Sequence, residues 1–429
     1  MRVVLVAALV LASAAVAMPA SAATTVTTAA ELGAAFADPT VAEIVLGADI
    51  TVDCTSQPSR PAGAVLLDVD GAGFTLADDC SDPDRSIALL APVDLHDIAL
   101  VSAPVTGEWI EARGIAVGVA DAQVTVRGAA SALVIGGGSW VHDTTFRLLG
   151  EGAAINGQEG DDAGPLVVER TTITGPGVGI ISGPPDGTIV RDTRIDVAYD
   201  GIAGNAFVTV ERTSIRSGIR AIAFAQGGLV TDSTLVGDPR RIPSPEAEFS
   251  GGVVTVYAGA TTIQHSTVIA LGQPDDPQHP VLEFPVAPTP PLTLHATAVQ
   301  ATGIDLCYEA SDVTSTGSTV VSDDTCGLDP ATAAVLPDVG LAEYDEATGT
   351  APPVADGPLV DAVVDCRSDV DQLGTIRPQG PACDIGALEL VVAAPPPTTS
   401  TTTSLVTGPA PVGVAPPATP LRTEARLTG

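Results

Sequence analysis

One short sequence pattern occurs seven times between His142 and Val299, and it limits the possible folds more than any other feature. In each copy a Ser or Thr stands two residues before an apolar residue. The copies are HDTTF, ERTTI, RDTRI, ERTSI, TDSTL, QHSTV and HATAV, ending at Phe146, Ile173, Ile195, Ile215, Leu235, Val268 and Val299. Their spacings are 27, 22, 20, 20, 33 and 31 residues. A period near 20, with Gly and β-branched residues between copies, is typical of a solenoid of strands.

We therefore predict an all-β fold, a right-handed single-stranded parallel β-helix with coils stacked about 4.8 Å apart. Composition supports this: 45% of the 429 residues are hydrophobic but only 3% are aromatic. A narrow bore can be filled by Val, Ile, Leu, Ala and Thr, whereas a globular core usually relies on large rings. The 44 Gly residues suit the corners between strands.

The chain divides into five regions. Residues 1–22 are a secretory signal peptide, with one Arg, an apolar run and a small-residue cleavage site. Residues 23–53 hold the first strands and a capping helix over Thr28–Phe36, with Thr27 or Thr28 as N-cap and Glu31 in a capping box. Residues 54–340 form the β-helix, and residues 391–429 are a disordered Pro/Thr-rich tail. Residues 341–390 between them are a C-terminal element, whose part Gly357–Leu390 closes the rod.

The charge and the cysteines indicate an exported protein. The net charge is −34, and all 18 basic residues are Arg, which argues against nucleic acid as a partner. Export permits disulfides. Six Cys allow fifteen pairings, but here they fall into three local pairs. These pairs are Cys54 with Cys80, Cys307 with Cys326, and Cys366 with Cys383.

Two columns of side chains follow from stacking the repeats. The Ser or Thr of each copy would form a hydroxyl column beside the apolar one. The residue before it reads Asp, Arg, Asp, Arg, Asp and His in successive copies, starting at Asp143. A structural interpretation is a column of ion pairs between coils. A catalytic interpretation uses Asp192, Arg212 and Asp232 as the acid and base groups of a polysaccharide lyase or hydrolase. We favour the structural one.

Three insertions lengthen the repeat, at Leu148–Pro165, Gly237–Ser250 and Gly272–Pro291. Because each begins shortly after the repeated pattern, we expect them to share one corner of the rod. Crowded carboxylates there would repel one another and favour a divalent cation. Calcium is therefore the one cofactor suggested, with Asp161, Asp162, Asp275 and Asp276 as ligands, against an alternative of separate solvated loops.

The segment Gly357–Leu390 carries a cluster of residues typical of one family. The residues are Asp371, Gly374, Arg377, Pro378, Asp384, Gly386 and Glu389. This segment resembles the C-terminal element of choice-of-anchor Q proteins, which are secreted bacterial β-helix proteins. The coils before it are similar to the broad pectate-lyase-like fold class. The resemblance implies a β-helix in an extracellular or surface setting, and it implies no defined reaction.

We expect a secreted or cell-surface monomer without a transmembrane segment in the mature chain. Its expected partners are extracellular polysaccharide or other cell-surface components. The primary hypothesis is a non-catalytic protein that binds carbohydrate or builds the surface, because fold alone confers no activity. The alternative is a polysaccharide lyase or glycoside hydrolase that acts on the outer face of the β-helix.

Overall fold

In a computed structural model the chain forms a parallel β-solenoid of about 11 turns, as the repeat predicts. Its geometry is consistent with a right-handed β-helix, and it contains little helix. The structure describes residues 22–80, 82, 86–103, 107–112, 115–128, 131–158, 164–242, 252–271, 280–286, 289–307 and 312–391. The predicted signal peptide and the Pro/Thr-rich tail therefore lie outside the described residues, apart from positions 22 and 391.

Each turn contributes one strand to each of three parallel sheets, with exceptions at the ends. The first sheet comprises, within the described ranges, Thr24–Val26, Glu43–Leu46, Leu67–Asp70, Val93–His96, Val117–Ala120, Trp140–His142, Leu166–Glu169, Thr188–Arg191, Val208–Glu211, Gly228–Thr231, Thr261–Gln264, Leu292–His295 and Val313–Ser315. The second comprises Ser59–Arg60, Ile87–Leu89, Glu108–Ala112, Ser131–Ile135, Ala153–Gly157, Val178–Ser182, Ile202–Gly204, Ile222–Phe224, Val254–Val256 and Leu282–Glu283. The third comprises Ile50–Val52, Thr75–Asp78, Ala99–Val101, Gln123–Val126, Thr145–Leu148, Thr172–Gly175, Arg194–Val197, Ser214–Ser217, Thr234–Gly237, Thr267–Ala270, Ala298–Ala301, Thr319–Val321 and Ala333–Val335.

The repeated pattern sets the register between coils. Phe146 pairs with Ile173, which pairs in turn with Ile195, and the series continues without a slip to Val299. All seven apolar residues are fully buried in the bore. A shift of one residue would turn this entire column outward. The pattern therefore fixes both the period and the inward face.

A capped helix closes the N-terminal end. It spans Ala29–Ala37, has Thr28 as N-cap and shows the predicted capping box with Glu31. The predicted helix is thus confirmed. The strand Thr24–Val26 precedes it and already belongs to the first sheet, so pairing begins before the helix. A short 3-10 helix, Pro239–Arg241, follows the third-sheet strand Thr234–Gly237.

The C-terminal segment, residues 336–391, lies along the side of the rod, and we call it the strap. It covers the outer face of the third sheet, where Val236, Ile269, Ala298 and Val320 are buried against it. The expectation that this element closes the end of the rod is therefore wrong. The physical reason is that several strands of this sheet carry apolar residues on both faces. The residues on the outer face must therefore also be buried from water.

The three predicted disulfides are confirmed. Cys54 and Cys80 are 4.5 Å apart at their Cα atoms, Cys307 and Cys326 are 4.9 Å apart, and Cys366 and Cys383 are 5.9 Å apart. The first two lie near the ends of the rod, and the third lies within the strap. Each joins residues one coil or less apart in sequence, as the spacing predicts.

Candidate functional site

The corner between the first and third sheets has a residue in the left-handed backbone region in eleven successive turns, with φ between 44° and 51°. These residues, which we call the corner column, are Ala72, Asp97, Asp121, Asp143, Arg170, Asp192, Arg212, Asp232, His265, Ala296 and Ser318. The alternating charges of the repeat are therefore turn positions and not strand positions. Asp is among the residues that tolerate this conformation best.

The hydroxyl column next to this corner is confirmed. Thr213 illustrates it: its Oγ1 donates to the Glu211 carbonyl at 2.8 Å and accepts from the Thr193 N–H at 3.3 Å. Comparable bonds link the hydroxyls of Thr193, Ser233 and Ser266 to the coil before each of them. Each buried hydroxyl thus satisfies a backbone group that the turn would leave without a partner.

The charges of the corner column pair between adjacent coils. Arg170 donates to both carboxylate oxygens of Asp143, each at 2.8 Å. Arg212 binds Asp192 in the same bidentate way, at 2.7 and 2.8 Å. These contacts confirm the structural interpretation for two of the pairs. They also raise the pKa of both guanidinium groups, first through the hydrogen bonds to the carboxylates.

Asp232 has a different environment, because the strap covers it. Its side chain is 4% exposed, accepts a hydrogen bond from the Ser368 hydroxyl and lies 3.4 Å from Nε of Arg377. Burial raises its pKa to about 6, against the opposing effects of Ser368 and Arg377. Asp232 is therefore enclosed between rod and strap, where an external polymer does not reach it.

A cleft of about 400 Å³ opens between the strap and the rod, and we call it the strap cleft. On the rod side it is lined by the corner residues Arg170, Asp192 and Arg212 and by the third-sheet residues Thr172, Arg194 and Ser214. Two of the three predicted catalytic candidates thus meet in one cleft. The third candidate, Asp232, lies outside the cleft, because the strap covers it.

The other wall of the strap cleft belongs to the strap. Thr348, Gln372 and Leu373 line it, and Arg194 donates to the carbonyls of Glu346 and Ala347. Leu373 is 62% exposed, so it presents an apolar surface beside hydroxyl, amide, guanidinium and carboxylate groups. Sequence reasoning missed this wall, because its residues lie more than 130 positions from the coils that they face and carry no periodic pattern.

The predicted calcium ligands Asp161, Asp162, Asp275 and Asp276 lie outside the described residues. The shared corner is correct for two of the three insertions, since the second and third each place extra residues between a third-sheet strand and the next second-sheet strand. It is wrong for the first insertion. The extra residues that include Asp161 follow the second-sheet strand Ala153–Gly157, whereas those that include Asp275 precede the second-sheet strand Leu282–Glu283. Within the described part of the chain, no group of three or more His, Cys, Asp or Glu side chains could hold a metal ion.

The residues that resemble the choice-of-anchor Q motif form the interior of the strap. Arg377, fully buried, donates to the Gly386 carbonyl at 2.7 Å and lies 3.1 Å from the Glu389 carboxylate. Glu389 and Asp371 accept backbone N–H groups, and so does Asp384. Gly374 has φ +82°, and Pro378 follows Arg377 through a cis peptide bond. In this chain the motif residues hold the strap together.

Comparison with known proteins gives no relatives for this chain: no family model, no curated protein and no solved structure matches it. In the described part of the chain, no helix has the length and hydropathy needed to cross a bilayer.

Proposed function

We propose that this chain is a secreted or cell-surface β-helix protein that binds extracellular carbohydrate in the strap cleft without catalysing a reaction. The observation that carries the proposal is the lining of the cleft. Donors and acceptors stand side by side in the Arg212–Asp192 pair, and hydroxyl and amide groups surround them. Neighbouring sugar hydroxyls present the complementary pattern, and Leu373 offers a surface for the apolar face of a sugar ring.

The state of the charged residues supports a binding role. A hydrolase needs two carboxyl groups that flank the scissile bond, about 5 Å or 6.5–9.5 Å apart. Asp232 cannot serve as the second group, because Ser368 and Arg377 enclose it. A lyase needs a base that can accept a proton. Arg212 is held as a cation, because its Nε and Nη donors both bind the Asp192 carboxylate. The lyase or hydrolase alternative therefore lacks an available pair among the residues proposed for it.

The extracellular setting of the proposal has three supports. The N-terminal sequence has the organisation of a signal peptide. Three disulfides are typical of an oxidising compartment. The strap residues resemble the choice-of-anchor Q element, whose members are secreted. We propose that the chain is a member of that family. A net charge of −34 argues against nucleic acid as the ligand.

A glycan array with matched variants tests the proposal. The double variant Asp192→Ala/Arg212→Ala removes the cleft pair without leaving an isolated charge, and we expect it to lose binding. The control Asp200→Ala/Arg220→Ala removes a bidentate pair of the same kind outside the cleft lining and should bind normally. Equal binding by both double variants would contradict the site. Release of unsaturated or shortened sugars by the wild type would contradict the non-catalytic role.

A further inference from the structure

Of the two tryptophans, only Trp140 is accessible. Trp109 is 2% exposed in the core, whereas Trp140 is half-buried on the outer face of the first sheet. Its indole extends over Gly118, its partner in the preceding coil. A Cβ atom at Gly118 would lie 2.2 Å from Cζ2 of the indole. Glycine at this position therefore makes room for the ring to cover the neighbouring strand.

A carboxylate meets the indole above the same glycine. The added Cβ would lie 2.3 Å from Oδ1 of Asp94, the partner of Gly118 on its other side. Asp94 stacks on Asp68, whose carboxylate lies 2.9 Å from Nε2 of His96. Partial burial and the charge of Asp68 raise the pKa of Asp94. The Asp94 carboxylate thus borders the edge of the tryptophan, and Asp68 and His96 continue the polar surface along the sheet.

The other side of Trp140 leads to the strap cleft. The His142 ring stacks on the indole, with ring centres 4.7 Å apart and planes 14° from parallel. Nδ1 of His142 is 2.8 Å from the Asp143 carboxylate, which binds Arg170. Arg170 lines the strap cleft. An unbroken series of contacts therefore runs around one corner of the rod, from the indole to the cleft.

We propose that Trp140, with Asp94 and His142, forms a subsite for one neutral sugar ring of the carbohydrate that occupies the strap cleft. This inference rests on the proposed function. An indole offers a broad apolar surface and a polar N–H, which suits a ring with an apolar face and a hydroxylated rim. The Asp94 carboxylate accepts hydrogen bonds from sugar hydroxyls, and Asp94 and Asp68 together repel anionic sugars. The ligand class is therefore a neutral polysaccharide long enough to turn the corner.

Tryptophan fluorescence tests this subsite directly, since Trp109 is buried. The probes are neutral hexasaccharides of β-1,4-glucan, β-1,4-mannan and α-1,4-glucan, with hexagalacturonate as the anionic comparison. We expect one neutral probe to shift the emission and to protect Trp140 from acrylamide. Trp140→Ala should weaken its binding by about tenfold or more, which corresponds to about 1.4 kcal/mol. Trp140→Phe should restore part of the affinity, because a smaller apolar ring remains.

A second variant guards against a folding artefact. Gly118→Ala removes no side chain of the subsite but displaces both the indole and the Asp94 carboxylate, so it should weaken binding at least as much as Trp140→Ala does. Normal melting of both variants shows that the rod is intact. If Asp192→Ala/Arg212→Ala loses binding while Trp140→Ala binds normally, the subsite is wrong and the strap cleft stands. If none of the four probes binds, both the subsite and the strap cleft are wrong. Preference for hexagalacturonate would overturn the neutral class.

Discussion

At the scale of single residues, the corner turns depend on hydroxyls that serve two coils at once. Thr213→Val removes one such hydroxyl and leaves the Thr193 N–H without an acceptor, while the Glu211 carbonyl keeps only its bond from the Asp192 N–H. We expect a loss of about 1–3 kcal/mol in the free energy of unfolding, measured by chemical denaturation. The same change at the exposed Thr145 should alter stability by less than about 0.5 kcal/mol. Equal effects at both positions would contradict the bridging role.

Arg60 makes a second testable contribution at this scale. It is fully buried, and its guanidinium donates to the carbonyls of Phe36, Asp38, Val41 and Val65. It thereby satisfies the end of the capping helix and the loops around it. Arg60→Met keeps much of the volume but leaves three carbonyls unpaired, since only that of Asp38 keeps another donor, the Val41 N–H. We therefore expect the unfolding midpoint to fall clearly. Arg127→Met, at an exposed arginine, is the control and should leave the midpoint unchanged.

The residue scale also shows where prediction from sequence ends. Thr144 and its equivalents were predictable as a column, because period and alternation determine which way they face. The left-handed conformation of Asp143 and Arg170 was not predicted, because alternating charge resembles an exposed strand position. The preference of Asp for such turns was the available signal. Arg60 gave no signal, since a single Arg before a Pro is ordinary in a loop.

At the scale of elements, the strap covers two buried groups of the rod, His265 and Asp232, whose contributions to stability change with pH in opposite directions. Burial lowers the pKa of His265 from 6.5 to about 3, assisted by the charges of Arg377, His295 and Arg367. Its Nε2 accepts the Arg367 N–H at 3.1 Å, and protonation would abolish that contact. Because the folded pKa is the lower one, the stability that neutral His265 provides is lost as pH falls below about 6.5.

Asp232 acts in the opposite direction. Its folded pKa of about 6 exceeds the ordinary 3.8, so its contribution is present at low pH and is lost as pH rises through 6. Between about pH 4 and 6 the two groups therefore offset each other. Relative to wild type, Asp232→Asn should lose stability on acidification over this range, and His265→Gln should gain it. Denaturant midpoints at pH 4, 5 and 6 measure both. The same pH dependence of the denaturant midpoint in both variants would contradict these opposite contributions.

The position of the strap on the rod could not be predicted from the sequence. Its motif residues were recognisable, but their partners in the rod, such as Thr234 and Thr267, are 138 and 120 residues away. The rod offers several similar outer faces, and only packing selects one. The strap cleft is created by that packing. Asp192 and Arg212 could be proposed from the repeat, whereas Gln372 and Leu373 could not.

At the scale of the whole molecule, rod and strap form one folded unit that extends to Val391. The third sheet is apolar on its inner face along the rod and also on its outer face under the strap. Val236 and Ala298 are fully buried there, and Val320 is 3% exposed. A chain that ends at Val335 would expose these residues together with the buried Asp232 and His265. Uncovered apolar sheet surface promotes association between molecules.

We therefore expect the chain truncated after Val335 to melt at a lower temperature, to bind a hydrophobic dye and to self-associate. A chain truncated after Val391 keeps the strap and should behave as the full-length protein does. Thermal unfolding, dye fluorescence and light scattering distinguish the two. The strap cleft should disappear with the strap, because Thr348, Gln372 and Leu373 form one wall of it. A strapless rod that melts normally would show that the inner core alone suffices, and that the strap serves the cleft and not the stability of the rod.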